Sequence, residues 1–574
     1  MLNIWILIIF TYLLSLSDET TKIPSLFISP VKIPIALSAN FGELRNDHFH
    51  SGIDLKTQGV IGKEIVAAAS GYVYRISVAP GGFGKALYLR HPSTGYSTVY
   101  AHLDRFAPEI EEYVVSRQYE ERSFQVNLFP PRDRFHFRQG DLIAWSGNTG
   151  SSSGPHLHYE IRKSENETPV NPLLFEFGIE DNIEPIIEML AIYPVGRNTL
   201  INNQNRSRKI KVAGGHGNYY IPSDNVIRIN GPAGFGIKTY DLLNNSFNKC
   251  GPYSIELIID SVQVYHYRMD AFSFAETRYI NSHIDYETYI REKTHYHRTY
   301  ILPNDNLSVY QHSVNRGVFD FKDGKTHRID IIVSDLHNNR SVLSFRVIAG
   351  TGLTSGPASA AGSDAIVMPY SRNNKYANRN VTVSIPAGAL YDTLFFNYGR
   401  RTGTPEMYSE IHQIHNRFVP LHRAYSLSIR PSRVPEGKES KLLIVQQGDD
   451  NRRVPLSTRW EGGYVHAQPN SFGSFYVGID TVPPLITPVG LTQGINLTGR
   501  REIRIRISDN LSGIRSYEPL IDGKWMLFEY DQKNNVLIHR FDPQRIEKGT
   551  THTLTLKVTD NKDNFSIYNC DFTW

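Results

Sequence analysis

His156 and His158 stand one residue apart in SGNTGSSSGPHLHYEIR, residues 146–162. On a strand, residues i and i+2 point to one face, so both imidazoles enter the same space. The turn before them carries Gly147, Gly150, Gly154 and Pro155, which lets backbone approach that space closely. Spacing alone is a weak signal. KTHYHRTY places His295 and His297 at the same distance with no carboxylate or histidine motif beside them. That pair, like His412 and His415, reads as half-exposed strand histidines.

Further elements accompany the first pair. In HFHSGIDLKT, His50 and Asp54 are four apart, with Gly52 between them to let the chain bend. Imidazole and carboxylate suit zinc, which takes N and O donors at about 2.0–2.2 Å. In STVYAHL, His102 follows an alternating apolar strand and is expected to share a face with Tyr100. A catalytic zinc uses three protein ligands and keeps one position open. His50, Asp54 and one member of the 156/158 pair make three, leaving His102 and the other member over. A neutral imidazole can take a proton from zinc-activated water. A second imidazole can donate to the oxyanion as a carbonyl is attacked. The chain has no H-E-x-x-H, whose Glu is the base in other zinc endopeptidases, and a histidine base fills that gap.

The elements that must hold these residues are strands. EIVAAASGYVYRIS, KALYLRH, GYSTVYAHL, DLIAWSG and HLHYEIR are short apolar runs set off by glycines, which predicts a compact antiparallel β domain over 35–176. An insertion at about 106–137 interrupts it. Its first half is a candidate helix, and Pro130-Pro131 ends any regular element. Beyond it the alternation continues with Asp/Asn turns, which predicts two to three β-sandwich, Ig-like modules. They fall at 184–349, 373–480 and 481–574, with a Gly/Ser/Ala-rich linker over 350–372. The phrases RIDIIVSDLHNN, RIRISDNLSGI and LTLKVTDNKDNFS echo one another. The fold class is therefore mainly β.

The 574 residues are 40% hydrophobic and 21% charged, as in a soluble globular chain. A net charge of +4 is too small at this length to argue a nucleic-acid partner. The apolar run Ile4 to Leu16 is shorter than the about 20 residues a membrane helix needs. It fits a secretory signal over 1–17, followed by a lead-in over 18–34, although no Lys or Arg precedes it. Removal of that signal would leave no stable membrane span, and the chain is expected to be exported to the periplasm, cell envelope or medium. Cys250 and Cys570 are the only cysteines and are expected as unpaired, mostly buried thiols. His91 and His136 read as single polar groups on strand surfaces.

HSGID, YAHL and GNTGSSSGPHLHYE, in that order, resemble the M23 family of zinc metallopeptidases, the lysostaphin/LytM-type peptidoglycan endopeptidases. The resemblance covers about 35–175. It implies one zinc held by His50, Asp54 and His158, with His102 and His156 as the catalytic pair. It also implies hydrolysis of peptide stems and cross-bridges of bacterial peptidoglycan. The long insertion departs from the family pattern and is expected to border the substrate groove. The C-terminal β modules also lie outside the family core; without a motif match, their texture resembles that of secreted or periplasmic Bacteroidota proteins. They are expected to bind wall, contact protein partners or occlude the site. Two other readings are a non-catalytic M23-type regulator or wall-binding module that activates other hydrolases, and a scaffold protein dominated by its β modules. Complete filling of all five polar positions favours the enzyme.

Overall fold

The computed structural model describes residues 26–574 except 224, 245, 352–364 and 449–451. The signal over 1–17 lies outside the described residues. No described helix is long and apolar enough to cross a membrane.

The regular elements among the described residues are mostly strands. In the N-terminal domain these are β1 (Leu37–Ala39), β2 (Ile53–Lys56), β3 (Glu64–Val66), β4 (Gly71–Val78), β5 (Lys85–His91) and β6 (Tyr96–Phe106). After helix α1 (Pro108–Glu121) come β7 (Val126–Leu128), β8 (His136–Phe137), β9 (Leu142–Ser146), β10 (His156–Lys163) and β11 (Pro169–Val170). The main sheet runs β1-β2-β10-β6-β5-β4-β7, and β3 joins it through β9. Its backbone pairing sets the site. On β10, His158 lies opposite Asp54 of β2 on one side and Ala101 of β6 on the other, both antiparallel.

Alternation sends Leu157, Tyr159 and Ile161 of β10 into a core with Tyr100, Leu87, Leu89 and Ile53. The opposite face carries His156, His158 and Glu160. Helix α1 forms in the first half of the insertion, with Pro108 in its first turn and Arg122 as a left-handed cap. Helix α1 meets the C-terminal module. Tyr119 stands edge-on to Trp525 at 5.2 Å and lies under the Arg545 guanidinium at 3.6 Å.

The first β module forms one large sheet over 186–349. Its core includes Phe41 and Phe49 of the N-terminal domain, which pack on Phe272. The next module has two five-stranded sheets within 374–479, and the last has a four- and a five-stranded sheet within 485–573. Of the linker 350–372, residues 352–364 lie outside the described residues, while Ile366–Met368 pairs with Leu394–Phe396. Cys250 and Cys570 are free and buried.

His91 is not a surface group. It is fully buried, with Nδ1 3.1 Å from Ser70 O and Nε2 2.8 Å from Thr98 Oγ1. His136 is exposed, as expected.

Candidate metal centre

The pairing of β2 with β10 brings His50, Asp54 and His158 together. The two strands approach so closely at Gly52 that a Cβ there would lie 2.3 Å from Tyr159 O, so this glycine serves contact rather than a bend. His50 Nε2, Asp54 Oδ1 and His158 Nδ1 form a triangle with every side 3.0 Å. All three residues are buried.

The outer hydrogen bonds fix which ring nitrogens carry protons. His50 Nδ1 donates to the backbone O of Asn40 at 2.7 Å, since a carbonyl can only accept. His158 Nε2 donates to Glu160 Oε1 at 2.9 Å. In the neutral rings, His50 Nε2 and His158 Nδ1 are then lone pairs, aimed with a carboxylate oxygen at one point. Three lone pairs at 3.0 Å repel unless a proton or a cation sits among them. A cation with two imidazoles and one carboxylate is a donor set that zinc accepts, so these residues fit a metal.

Without a cation, a proton takes that place. Burial pushes His158 down, but the hydrogen bonds and charges of Asp54 and Glu160 prevail and raise it to about 9. Burial lowers His50 and the Asp54 charge draws it only partly back. Burial works to raise the Asp54 carboxyl, yet His50 and His158 hold it well below the usual carboxylate range. Arg45 Nη2 lies 3.2 Å from Asp54 Oδ2. Glu160 has no exposed surface; burial would raise it, but Arg162 and the His158 bond hold it down to about 2.

His102 and His156 face each other beside this triangle, ring centroids 4.8 Å apart. The expectation that His102 shares a face with Tyr100 is overturned. Tyr100 points into the core, where its hydroxyl accepts from Ala68 N. Between Tyr100 and Leu103, β6 carries one residue more than β5 opposite it, a β-bulge. His102 takes φ +59° there, which turns its ring onto the histidine face. The bulge is held from outside: His102 N donates to Phe83 O at 2.9 Å, and Nδ1 donates to Thr149 O at 2.9 Å. Nε2 is thus the open lone pair. Burial, then the charges of His158 and His156, pull His102 down to about 3, so it stays neutral. His156 Nδ1 donates to Gly154 O at 2.8 Å, and its Nε2 lies 3.5 Å from Asp54 Oδ1.

The glycines of the preceding turn pack against protein. Gly84 and Gly150, at φ +64° and +69°, abut so tightly that a Cβ on either would strike the other's backbone. This contact seats the Thr149 carbonyl under His102. The C-terminal module closes the rim: Lys533 donates to the carbonyls of Asn148 and Ser152, and Lys85 pairs with Glu529 at 3.2 Å.

All five residues singled out in the sequence therefore meet in one place. Glu160, Asn40, Arg45 and Thr149 were missed. Glu160 had a visible signal, since 156, 158 and 160 share one strand face. The other three touch the site through a carbonyl or a contact that residue type does not announce.

Known proteins resemble parts of this chain. The peptidase family M23 profile matches residues 48–119, which contain His50, Asp54 and His102 and stop before His156. A Zu5-like domain profile matches residues 365–480. An uncharacterized metalloprotease of Haemophilus influenzae is 34% identical over 124 residues, 22% of this chain and 20% of that protein. A DD-carboxypeptidase/endopeptidase Mpg of Neisseria meningitidis serogroup B is 36% identical over 124 residues, 22% of each. The chain thus spans about a fifth of the length of these relatives. Among solved structures, the catalytic domain of lysostaphin from Staphylococcus simulans aligns over 25% of this chain and 91% of that one, at 23% identity and TM-score 0.19. A zinc-containing peptidase from Vibrio cholerae aligns over 26% and 40%, at 24% identity and TM-score 0.19.

Proposed function

We propose, from the premise that this chain carries a peptidase family M23 domain, that it is a zinc-dependent endopeptidase cutting the peptide cross-links of bacterial peptidoglycan. The observation that carries this reading is the 3.0 Å triangle of two imidazole lone pairs and a carboxylate oxygen, with two further imidazoles beside it. The Neisseria relative, a DD-carboxypeptidase/endopeptidase, and the Haemophilus relative, a metalloprotease, support the peptidase class. A wall substrate requires an extracytoplasmic site of action, which agrees with the expected export signal.

His50, Asp54 and His158 would hold the zinc, which when bound supplies Lewis-acid polarisation of water and of the scissile carbonyl. Asn40 and Glu160 orient the two imidazoles by fixing their tautomers. His102, neutral and anchored through Nδ1, accepts a proton at Nε2. Its depressed basicity favours passing that proton on to the leaving amine. His156, anchored on Gly154 O, turns Nε2 to the same space, where its protonated form can donate to the oxyanion.

The test is to incubate the protein with cross-linked peptidoglycan and read released muropeptides by mass spectrometry, with chelated, zinc-restored and His102→Ala samples alongside. Zinc-dependent loss of dimeric muropeptides is expected. Intact dimers with metal bound would overturn the enzymatic reading in favour of a regulatory module.

A further inference from the structure

The last β module reaches the histidine cluster through one hairpin, the antiparallel strands Glu529–Asp531 and Val536–Arg540. Its side chains end on the loops behind His102 and His156. Lys85 begins β5, directly after Gly84, and is 6% exposed. A buried ammonium needs an acid beside it. Among the described residues that acid is Glu529, whose Oε1 lies 3.2 Å from Lys85 Nζ. Asp104 offers Lys85 only its backbone O, at 3.0 Å, and turns its carboxylate to Arg105. The N-terminal domain thus buries a cation whose countercharge comes from a module 444 residues on. Lys85 in turn leads to His102. Its backbone N donates to Thr149 Oγ1 at 3.0 Å, and Thr149 Oγ1 donates to Leu103 O at 2.9 Å. Thr149 O is the anchor of His102 Nδ1.

The tip of the hairpin holds the same loop. Lys533 Nζ donates to Asn148 O and, at 2.9 Å, to Ser152 O. Asn148 O lies on the peptide unit that leads into Thr149. Ser152 Oγ donates to Gly154 O at 2.7 Å, the carbonyl on which His156 Nδ1 is anchored. One ammonium therefore ties together the segments that seat both imidazoles. Gln532, beside Lys533, lies against Gly81, where a Cβ would stand 2.9 Å from its Oε1. The turn that holds Gly81 is bonded to the loop as well, through Gly82 N to Ser151 Oγ and Ser151 N to Gly82 O, both at 2.9 Å. Residues 148–155 form neither strand nor helix, so these contacts fix their carbonyls in place of a ladder. Tyr517, Leu527 and Tyr530 back the hairpin by packing on the N-terminal core.

We propose that Glu529 and Lys533 are positioning residues for His102 and His156, so that the last module completes the active site of the N-terminal domain. For its effect on turnover the inference rests on the peptidase reading; for its effect on the loop 147–154 it rests on the hydrogen bonds alone. Both side chains act through carbonyls and through Lys85. Among the described residues neither forms a hydrogen bond or ion pair with His50, Asp54 or His158, so metal content should not depend on them. Small displacements of an acid–base group from its reacting geometry cost rate rather than substrate binding.

The experiment compares the full zinc-loaded chain with Lys533→Met, Lys533→Arg, Glu529→Gln and Arg545→Met. Hydrogen–deuterium exchange read by mass spectrometry follows the backbone of 147–154, and turnover is measured on soluble cross-linked muropeptide dimers. Lys533→Met keeps the stem and removes the donors. It is expected to speed exchange of 147–154 roughly 10-fold. It is also expected to lower kcat on the order of 10-fold, with KM and zinc content near the parental values. Lys533→Arg restores donors and should recover most of both losses, and Glu529→Gln should move both readouts in the same direction as Lys533→Met. Arg545→Met loosens the module's other contact, the one over Tyr119, and should leave both at the parental level. Unchanged exchange in Lys533→Met would overturn the proposal, whether or not the chain is a peptidase. So would a raised KM with parental kcat, which would make Lys533 a substrate contact, or equal losses in Arg545→Met, which would make docking in general the cause. A parent that cuts no dimers while Lys533→Met still exchanges faster would support the loop contact and count against the peptidase reading alone.

Discussion

His156 and His158 on β10, and His295 and His297 in the first β module, share one spacing. At the first pair each imidazole is anchored by an acceptor, and a carboxylate, Asp54, faces both rings. At the second pair the neighbours are aromatic or imidazole. His295 stacks on Tyr289 at 4.6 Å, while His297 Nδ1 meets His283 Nε2 at 2.9 Å, and His283 stacks on Tyr267. Electrostatics follow these neighbours. Two carboxylates lift His158 to about 9, whereas burial takes His283 down to about 3 and His297 well below the usual range. Both pairs contain a buried histidine, so burial does not separate them, and the expectation of half-exposed rings at 295 and 297 fails for His297. What separates a ligand from a packed ring is the carboxylate within reach and the acceptor behind the ring.

The comparison breaks first at His158. His158→Ala removes one of three proposed ligands, so bound metal, measured by inductively coupled plasma mass spectrometry, is expected to fall to background together with activity. Metal retained at the parental level would remove His158 from the ligand set. His102→Ala comes next: metal stays, and turnover falls on the order of 10²-fold or more with the loss of the proton carrier. Near-parental turnover would show that the bulged histidine carries no proton. Glu160→Gln weakens the acceptor behind His158, and metal affinity is expected to drop roughly 10- to 100-fold. An unchanged affinity would mean that Asp54 alone distinguishes the two pairs.

Residue types and order were enough to find His50, Asp54, His102, His156 and His158, because metal and acid–base chemistry restrict which side chains can serve. The strand pattern was legible for the same reason: alternation around Tyr159 and Leu157 follows directly from a half-buried sheet. The orientation of His102 was not legible. It depends on a bulge fixed by Phe83, Gly84 and Gly150, whose meeting is a tertiary contact. His91 misled for a similar reason: a polar residue on a strand looks exposed until Ser70 and Thr98 supply its partners. The docking of the last module was also invisible, since Lys85 and Glu529 lie far apart in sequence and nothing local marks them as partners.

The smallest expected effects concern stability, and here His158 and His283, the imidazole that His297 meets, should respond to pH with opposite signs. His297→Ala is expected to leave metal and turnover unchanged and to cost about 1–3 kcal/mol by leaving His283 Nε2 without its partner in the interior. In the metal-free chain His158 is raised above its unfolded value, so its contribution is fully present below about pH 6.5 and is lost as pH climbs through about 9. His283 is depressed: the unfolded chain takes up a proton that the folded one refuses. Its contribution is therefore present above about pH 6.5 and is lost as pH falls toward 3. Each group can give a slope of up to about 1.4 kcal/mol per pH unit within its window. Urea midpoints of the chelated protein from pH 4 to 10 should show the alkaline loss flattened in His158→Ala and the acid loss reduced in His283→Gln. An alkaline limb that persists unchanged without His158 would mean that its proton is not what holds the empty triangle together.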